Sequence, residues 1–320
     1  MTRIDNGIDV SAGGSNTSTV LITFGLMIAG FFIGQFGSAM VAMILAIVGG
    51  VDVSALMEDP ELLMSSLSQG QALTAQAFYT LFFTFATPWF YLQIVAKKSF
   101  KTLFNETGVN PIKAILILVA TFAFIFVNAY VVEWNAGIDL PDGAFEDWAK
   151  SIEEQLAATT EQFTTFNNFG SFLFAFFVVA VLPGIGEELL FRGVLQNAMH
   201  RATGNAHIAI WTVGFLFAAI HLQFYGVGPR MLLGAFFGYI YIWSGNMWYP
   251  IIAHIANNGI ALTFAYLAQL EIIEVNPDET DSVPVLYSIL GLVVCGLLLF
   301  VFRNMYLRPK GSDGQLADRL

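Results

Sequence analysis

The sequence predicts an all-α, polytopic membrane helix bundle with about eight transmembrane helices. Three observations lead there. Apolar residues make up 56% of the chain and charged residues 12%, where a soluble domain carries roughly a quarter charged. The apolar residues gather in uncharged runs close to the roughly 20 residues that cross a bilayer core. Those runs, with 31 phenylalanines among them, are long and continuous and lack the two-residue alternation of outer-membrane strands. A soluble globule of 320 residues and a disordered chain are thereby excluded. Cys295 is the sole cysteine, so neither an internal disulfide nor a thiolate metal cluster is available.

The runs are approximately Thr19 to Val48, Ala72 to Ala96, Ile112 to Val132, Phe169 to Leu195, His207 to Leu222, Met231 to Trp243, Ile251 to Leu267 and Val283 to Phe302. The first follows a polar stretch, Ser11 to Ser18, without a basic segment, and it is too long for a signal-peptide core; it reads as a retained helix. The sixth is short and needs flanking residues or burial among other helices to cross. These runs divide the chain into a polar tail over 1–18, a transmembrane bundle over 19–303 with its chemical core at about 169–268, and a polar tail over 304–320. The longest connection interleaves Glu146, Asp147, Lys150, Glu153 and Glu154 with Phe145, Trp148, Ile152 and Leu156. That spacing predicts an amphipathic helix, lying either in the outer membrane interface or in solvent. Gly30-xxx-Gly34 and Gly234-xxx-Gly238 predict close helix packing.

Orientation follows the basic residues. Lys97, Lys98, Lys101 and Lys113 cluster between the second and third runs, and Arg303, Arg308 and Lys310 follow the eighth. With these segments inside, Arg3, Arg192, Arg201 and Arg319 also fall inside, and only Lys150 and Arg230 fall outside. The acidic stretches Asp52 to Glu61, Glu133 to Glu161 and Glu271 to Asp281 lie opposite. Both termini are expected in the cytoplasm, as in a multi-pass protein of the cell membrane if the source is prokaryotic. The net charge of −11 argues against a nucleic-acid partner.

Charged and polar groups inside spans are expensive and generally have a partner or a task. They are Glu187, Glu188 and Arg192 in the fourth run, His221 in the fifth, and His254, Asn257 and Asn258 in the seventh. Pro183 with Gly184 and Gly186 should bend or loosen the helix just before the carboxylates. Successive helical residues point about 100° apart, while residues four apart share a face. Glu188 is therefore the partner for Arg192, and Glu187 is free to face something else. From spacing alone this cluster is either a structural ion pair with a spare carboxylate or part of a site. His254 and Asn258 share a face and can both donate hydrogen bonds, either as interhelical links or as chemistry. Together, a carboxylate, two histidines and an amide supply components for activating water and stabilising an oxyanion.

Glu187-Glu188-xxx-Arg192, Phe217-xxx-His221 and His254-xxx-Asn258, in that order on successive helices, resemble the three motifs of the CPBP intramembrane proteases. That family includes the type II CAAX prenyl endopeptidases and bacteriocin-processing or immunity proteins. The resemblance covers roughly Val181 to Leu262. It implies an intramembrane endopeptidase in which Glu187 is the general base on water, His221 binds and polarises that water, His254 and Asn258 steady the oxyanion, and Glu188 with Arg192 structures the site. It implies a peptide or membrane-protein substrate, with or without a lipid, and contact with membrane lipid. No cofactor is required in this reading. The family's alternative is a divalent metal such as zinc, held by Glu187, His221 and His254 with an open fourth position. No His-Glu-x-x-His motif is present to support it. The competing functions are a non-catalytic immunity or accessory protein and a proton-coupled transporter. Counted from their cytoplasmic starts, His221 lies late in its span and His254 early, so their depths agree only if the fifth helix is shifted or the pocket is broad.

Overall fold

The computed structural model describes residues 10, 15–59, 62–104, 108–138, 140–273 and 284–307. Most of both polar tails therefore lies outside the described residues, and so do Arg3, Asp278, Arg308, Lys310 and Arg319. All described secondary structure is helical. The protein is a multi-pass membrane protein, a polytopic helical bundle.

A helix stands at each of the eight apolar runs. Helix α1 is Asn16–Val48. Helix α2 is a continuous rod over 69–95, in which α-helical Gln69–Thr80 passes through π-turns at Leu81–Ala86 and Tyr91–Val95. Helix α3 is Pro111–Ala136, and α4 is Ala144–Thr164. Helix α5 spans Phe169–Thr203, α6 Ala206–Ala219, α7 Val227–Ser244, α8 Trp248–Gln269 and α9 Val285–Leu307. Five of these, α1, α3, α5, α8 and α9, are long and apolar enough to cross a membrane. On the outer faces of α1 and α9, Leu21, Phe32, Phe36, Leu292 and Phe300 are each 60% exposed or more. A water-soluble monomer rarely carries so large an apolar surface, whereas lipid tails cover it.

Local sequence sets the ends. Asn110 accepts hydrogen bonds from the Ile112 and Lys113 N–H groups, and Pro111 takes the first helical position of α3, where its missing N–H costs nothing. Asn168 and Ser171 form a capping box that starts α5. Gly204 ends α5 at φ +65°, a left-handed conformation suited to glycine. Asn205 then caps α6 at once, so α5 and α6 turn back on each other.

Helix α5 is the centre of the bundle, touching α1, α2, α6, α7 and α8. Every residue from Leu189 to Gln196 is buried. The expected loosening near Pro183 takes the form of a π-turn at Phe176–Val181 immediately before it. Proline cannot donate to the preceding turn, and a wider turn absorbs the mismatch. Gly30 and Gly34 seat α1 against Thr87, Tyr79 and Phe83 of α2, while Gly238 faces Gln196 and Ile210. At the crossing of α6 and α7 a methyl built on Gly234 would fall 2.8 Å from the Gly214 Cα. Only paired glycines allow that backbone approach, which carries the Gly234 carbonyl to the site described below.

Three of the boundaries that differ from the sequence reading bear on the site. The sixth run is longer than Met231 to Trp243, extending to 18 residues at Val227–Ser244, because Pro229 fits the first turn. The fourth continues beyond Leu195 to Thr203. The fifth stops at Ala219, and His221 sits in the turn after it, where Leu222 takes φ +56°. The acidic connection forms the single helix α4, packed beside α2 and α5. Its Lys150–Glu146 pair (2.5 Å) lies on the exposed side, and this raises the Lys150 pKa through the carboxylate's hydrogen bond and charge.

Candidate active site

Helices α5, α6, α7 and α8 meet around a charged cluster. Arg192 is fully buried. Its Nη1 donates to Glu188 Oε1 at 2.7 Å and its Nη2 to the Gly234 carbonyl at 2.8 Å. The guanidinium also lies 5.1 Å from the Phe217 ring centroid and 5.3 Å from that of Phe237, within range of cation–π attraction. A charge removed from water needs this degree of compensation.

Glu188 has a second partner that helical spacing does not reveal. His254 Nδ1 lies 2.8 Å from the same Oε1. The carboxylate can only accept there, so Nδ1 carries the proton and Nε2 points onward. The His254 ring stacks on Phe237, with centroids 4.8 Å apart and planes at 21°. Its Nε2 faces Glu187 Oε2 at 3.8 Å, beyond a direct hydrogen bond but close enough for one water to touch both.

The adjacent glutamates thus occupy different surroundings. Glu188 is 0% exposed and Glu187 is 15% exposed. Glu187 lines a cavity of about 760 Å³ together with His221, His254 and Asn258, while Glu188 and Arg192 are not among its lining residues. His221 Nδ1 lies 2.7 Å from the Phe217 carbonyl. A carbonyl only accepts, so Nδ1 is again the protonated nitrogen and Nε2 of the neutral ring offers a lone pair. Asn258 donates through Nδ2 to the Val179 carbonyl at 3.2 Å and accepts at Oδ1 from Asn257 at 3.1 Å, which fixes its orientation.

His221, in the turn after α6, and His254, within α8, both line the cavity. The Phe217 ring stands between the two imidazoles, 5.2 Å from His221 and 6.0 Å from His254. The other two histidines sit elsewhere: His207 Nδ1 pairs with the Tyr239 hydroxyl at 2.7 Å, and His200 lies in the last turn of α5. Among the described residues, no three His, Cys, Asp or Glu side chains come close enough to share a metal ion. Glu187, His221 and His254 therefore do not form a ready three-ligand site.

The cavity also has walls that the charged motifs do not announce. Gln76 of α2, Asn128 of α3, Glu153 of α4, and Gln223 and Arg230 near the start of α7 all line it. Asn128 had a readable signal, being the one amide within the run Ile115 to Val132. Glu153 and Gln223 had none, since each is an ordinary polar residue of a connection.

Residues 169–260 match the family model described as Type II CAAX prenyl endopeptidase Rce1-like. The match runs from the first residue of α5 into α8 and contains all seven motif residues. A curated relative, described as "Uncharacterized protein YpbD" of Bacillus subtilis (strain 168), is 28% identical over 108 residues, covering 32% of this chain and 50% of that protein. The chain thus matches about half the length of that relative. No solved structure matches.

Proposed function

We propose that this membrane protein, Rce1-like over residues 169–260, is an intramembrane endopeptidase that uses Glu187 to activate water. The observation that carries the reading is the separation of the two glutamates, one on the cavity with His221, His254 and Asn258, the other behind it in a buried network.

Two acceptors face the cavity: the Glu187 carboxylate and His221 Nε2. Between them they hold both hydrogens of one water and turn its lone pair towards a scissile carbonyl. As the water oxygen bonds to the carbonyl carbon, Glu187 takes a proton and the carbonyl oxygen becomes an oxyanion. His254 can donate from Nε2 only when doubly protonated, since Nδ1–H is committed to Glu188. That donor, once charged, stands between the Glu187 and Glu188 carboxylates. The second amide hydrogen of Asn258 is the other donor to the oxyanion. Collapse breaks the C–N bond as Glu187 returns the proton to the leaving nitrogen. Glu188 and Arg192 do not touch the reacting atoms; they hold His254 in position.

The test is a mass-spectrometric comparison of membrane peptides from cells carrying the wild-type protein with cells carrying Glu187→Gln. Cleavage products present only with the wild type are expected, and identical peptide sets in the two would sink the peptidase reading.

A further inference from the structure

Residues outside the matched segment 169–260 supply one wall of the cavity. Asn128, Val132 and Ala136 line it from a single stripe of α3, each one turn from the next and together spanning about 12 Å. Glu153 reaches in from α4. Two side-chain oxygens on this wall, Asn128 Oδ1 and Glu153 Oε1, are buried and have no hydrogen-bond partner among the described residues. Buried acceptors are nearly always paired, and an unpaired one costs stability in the free protein.

The other Glu153 oxygen accepts from Gln223 Nε2 at 3.0 Å. Gln223 in turn accepts from Arg230, so Arg230 reaches the amide and not the carboxylate. The Glu153 carboxylate is hydrogen-bonded by a neutral amide, with the Arg230 charge acting on it from beyond that amide. Both unpartnered atoms on the wall are acceptors, and their complement is a group that only donates. An ammonium or guanidinium meets that description, whereas an amide side chain would bring a carbonyl needing its own donor.

We propose that Asn128 and Glu153 form a specificity subsite that binds a lysine or arginine side chain of the peptide substrate. The proposal rests on the peptidase reading above, and it makes the front half of the chain the part that selects among peptides.

The experiment uses the purified full chain in detergent and short peptides identical except at one residue, lysine or its uncharged isostere norleucine, stepped through the positions flanking the cleaved bond. At one position lysine should be cleaved about 10- to 100-fold more efficiently in kcat/KM. Glu153→Gln should shrink that ratio, and Asn128→Leu should shrink it while leaving the melting temperature unchanged or higher. A merely structural asparagine would lower it. In parallel, the lysine peptide should raise the melting temperature of the Glu187→Gln variant more than the norleucine peptide does. Equal cleavage of both peptides at every position overturns the subsite and leaves the peptidase standing, and a lower melting temperature for Asn128→Leu also overturns the subsite. Lysine-selective stabilisation without cleavage keeps the subsite and overturns the peptidase. Neither cleavage nor selective stabilisation overturns both.

Discussion

Replacing Glu188 by Gln is the sharpest test of how the two glutamates divide their work. Arg192 and Glu188 are both 0% exposed, so the substitution leaves a guanidinium charge in the bundle without its counter-charge. Breaking a buried pair from one side typically costs about 3–5 kcal/mol. The lower end applies here, because the Gly234 carbonyl and the Phe217 and Phe237 faces still hold Arg192, and the glutamine carbonyl can still accept one hydrogen bond. About 3 kcal/mol corresponds to a fall in melting temperature of roughly 6–12 °C for a large domain. Activity should fall too, since His254 loses the carboxylate that orients it. Adding Arg192→Met should recover part of the stability, by removing the stranded charge, without recovering activity. Glu187→Gln should behave in the opposite way: on the cavity wall it keeps its shape, so the fold survives while cleavage drops by roughly 10² or more. Melting temperature and cleavage are measured for each variant in detergent. If Glu187→Gln unfolds the protein while Glu188→Gln stays stable and inactive, the assignments are reversed and Glu188 is the base.

Fusion reporters after Lys101 and Lys310 should read cytoplasm, and those near Asp59, Asp147 and Asp278 should read outside; an outside signal at Lys310 would overturn the eight-span orientation. In that orientation the end of α3 that lines the cavity with Val132 and Ala136 faces outward, and a peptide cleaved by the proposed mechanism would enter from that side. Purified protein should contain substoichiometric zinc and keep its activity in chelator, and stoichiometric zinc lost together with activity would make Glu187, His221 and His254 ligands instead.

The parts of the site that were legible in the sequence are those encoded by one helical period. Glu188 and Arg192 stand four apart, and the 2.7 Å pair follows from that interval. The contact from Glu188 to His254 spans 66 positions, and no local pattern reports it. Phe237, which stacks on His254, is one of 31 phenylalanines and nothing in its neighbourhood marks it out. The span ends were blurred where the backbone leaves the α-helical period. A π-turn such as Phe176–Val181 shifts the phase of every later residue, and a helix that stops at Ala219 leaves His221 in an apolar run that reads as if it continued.

Those blind spots share a physical cause that bears on function. Groups that perform acid–base chemistry in lipid must be charged or strongly polar, and such groups stand out in an apolar run because burying them is costly. Groups that select a substrate need only present an acceptor or a shape, which an amide on α3 does with a weak local signal and a glutamate on a connecting helix does with none. In this protein the charged motif residues lie within residues 169–260, and the proposed subsite reaches the same cavity from residues 128 and 153. Two chains sharing the α5–α8 segment can therefore keep Glu187, His221, His254 and Asn258 while differing in what they cleave. The substrate of such a protein is to be sought in the wall that faces its motifs and not in the motifs themselves.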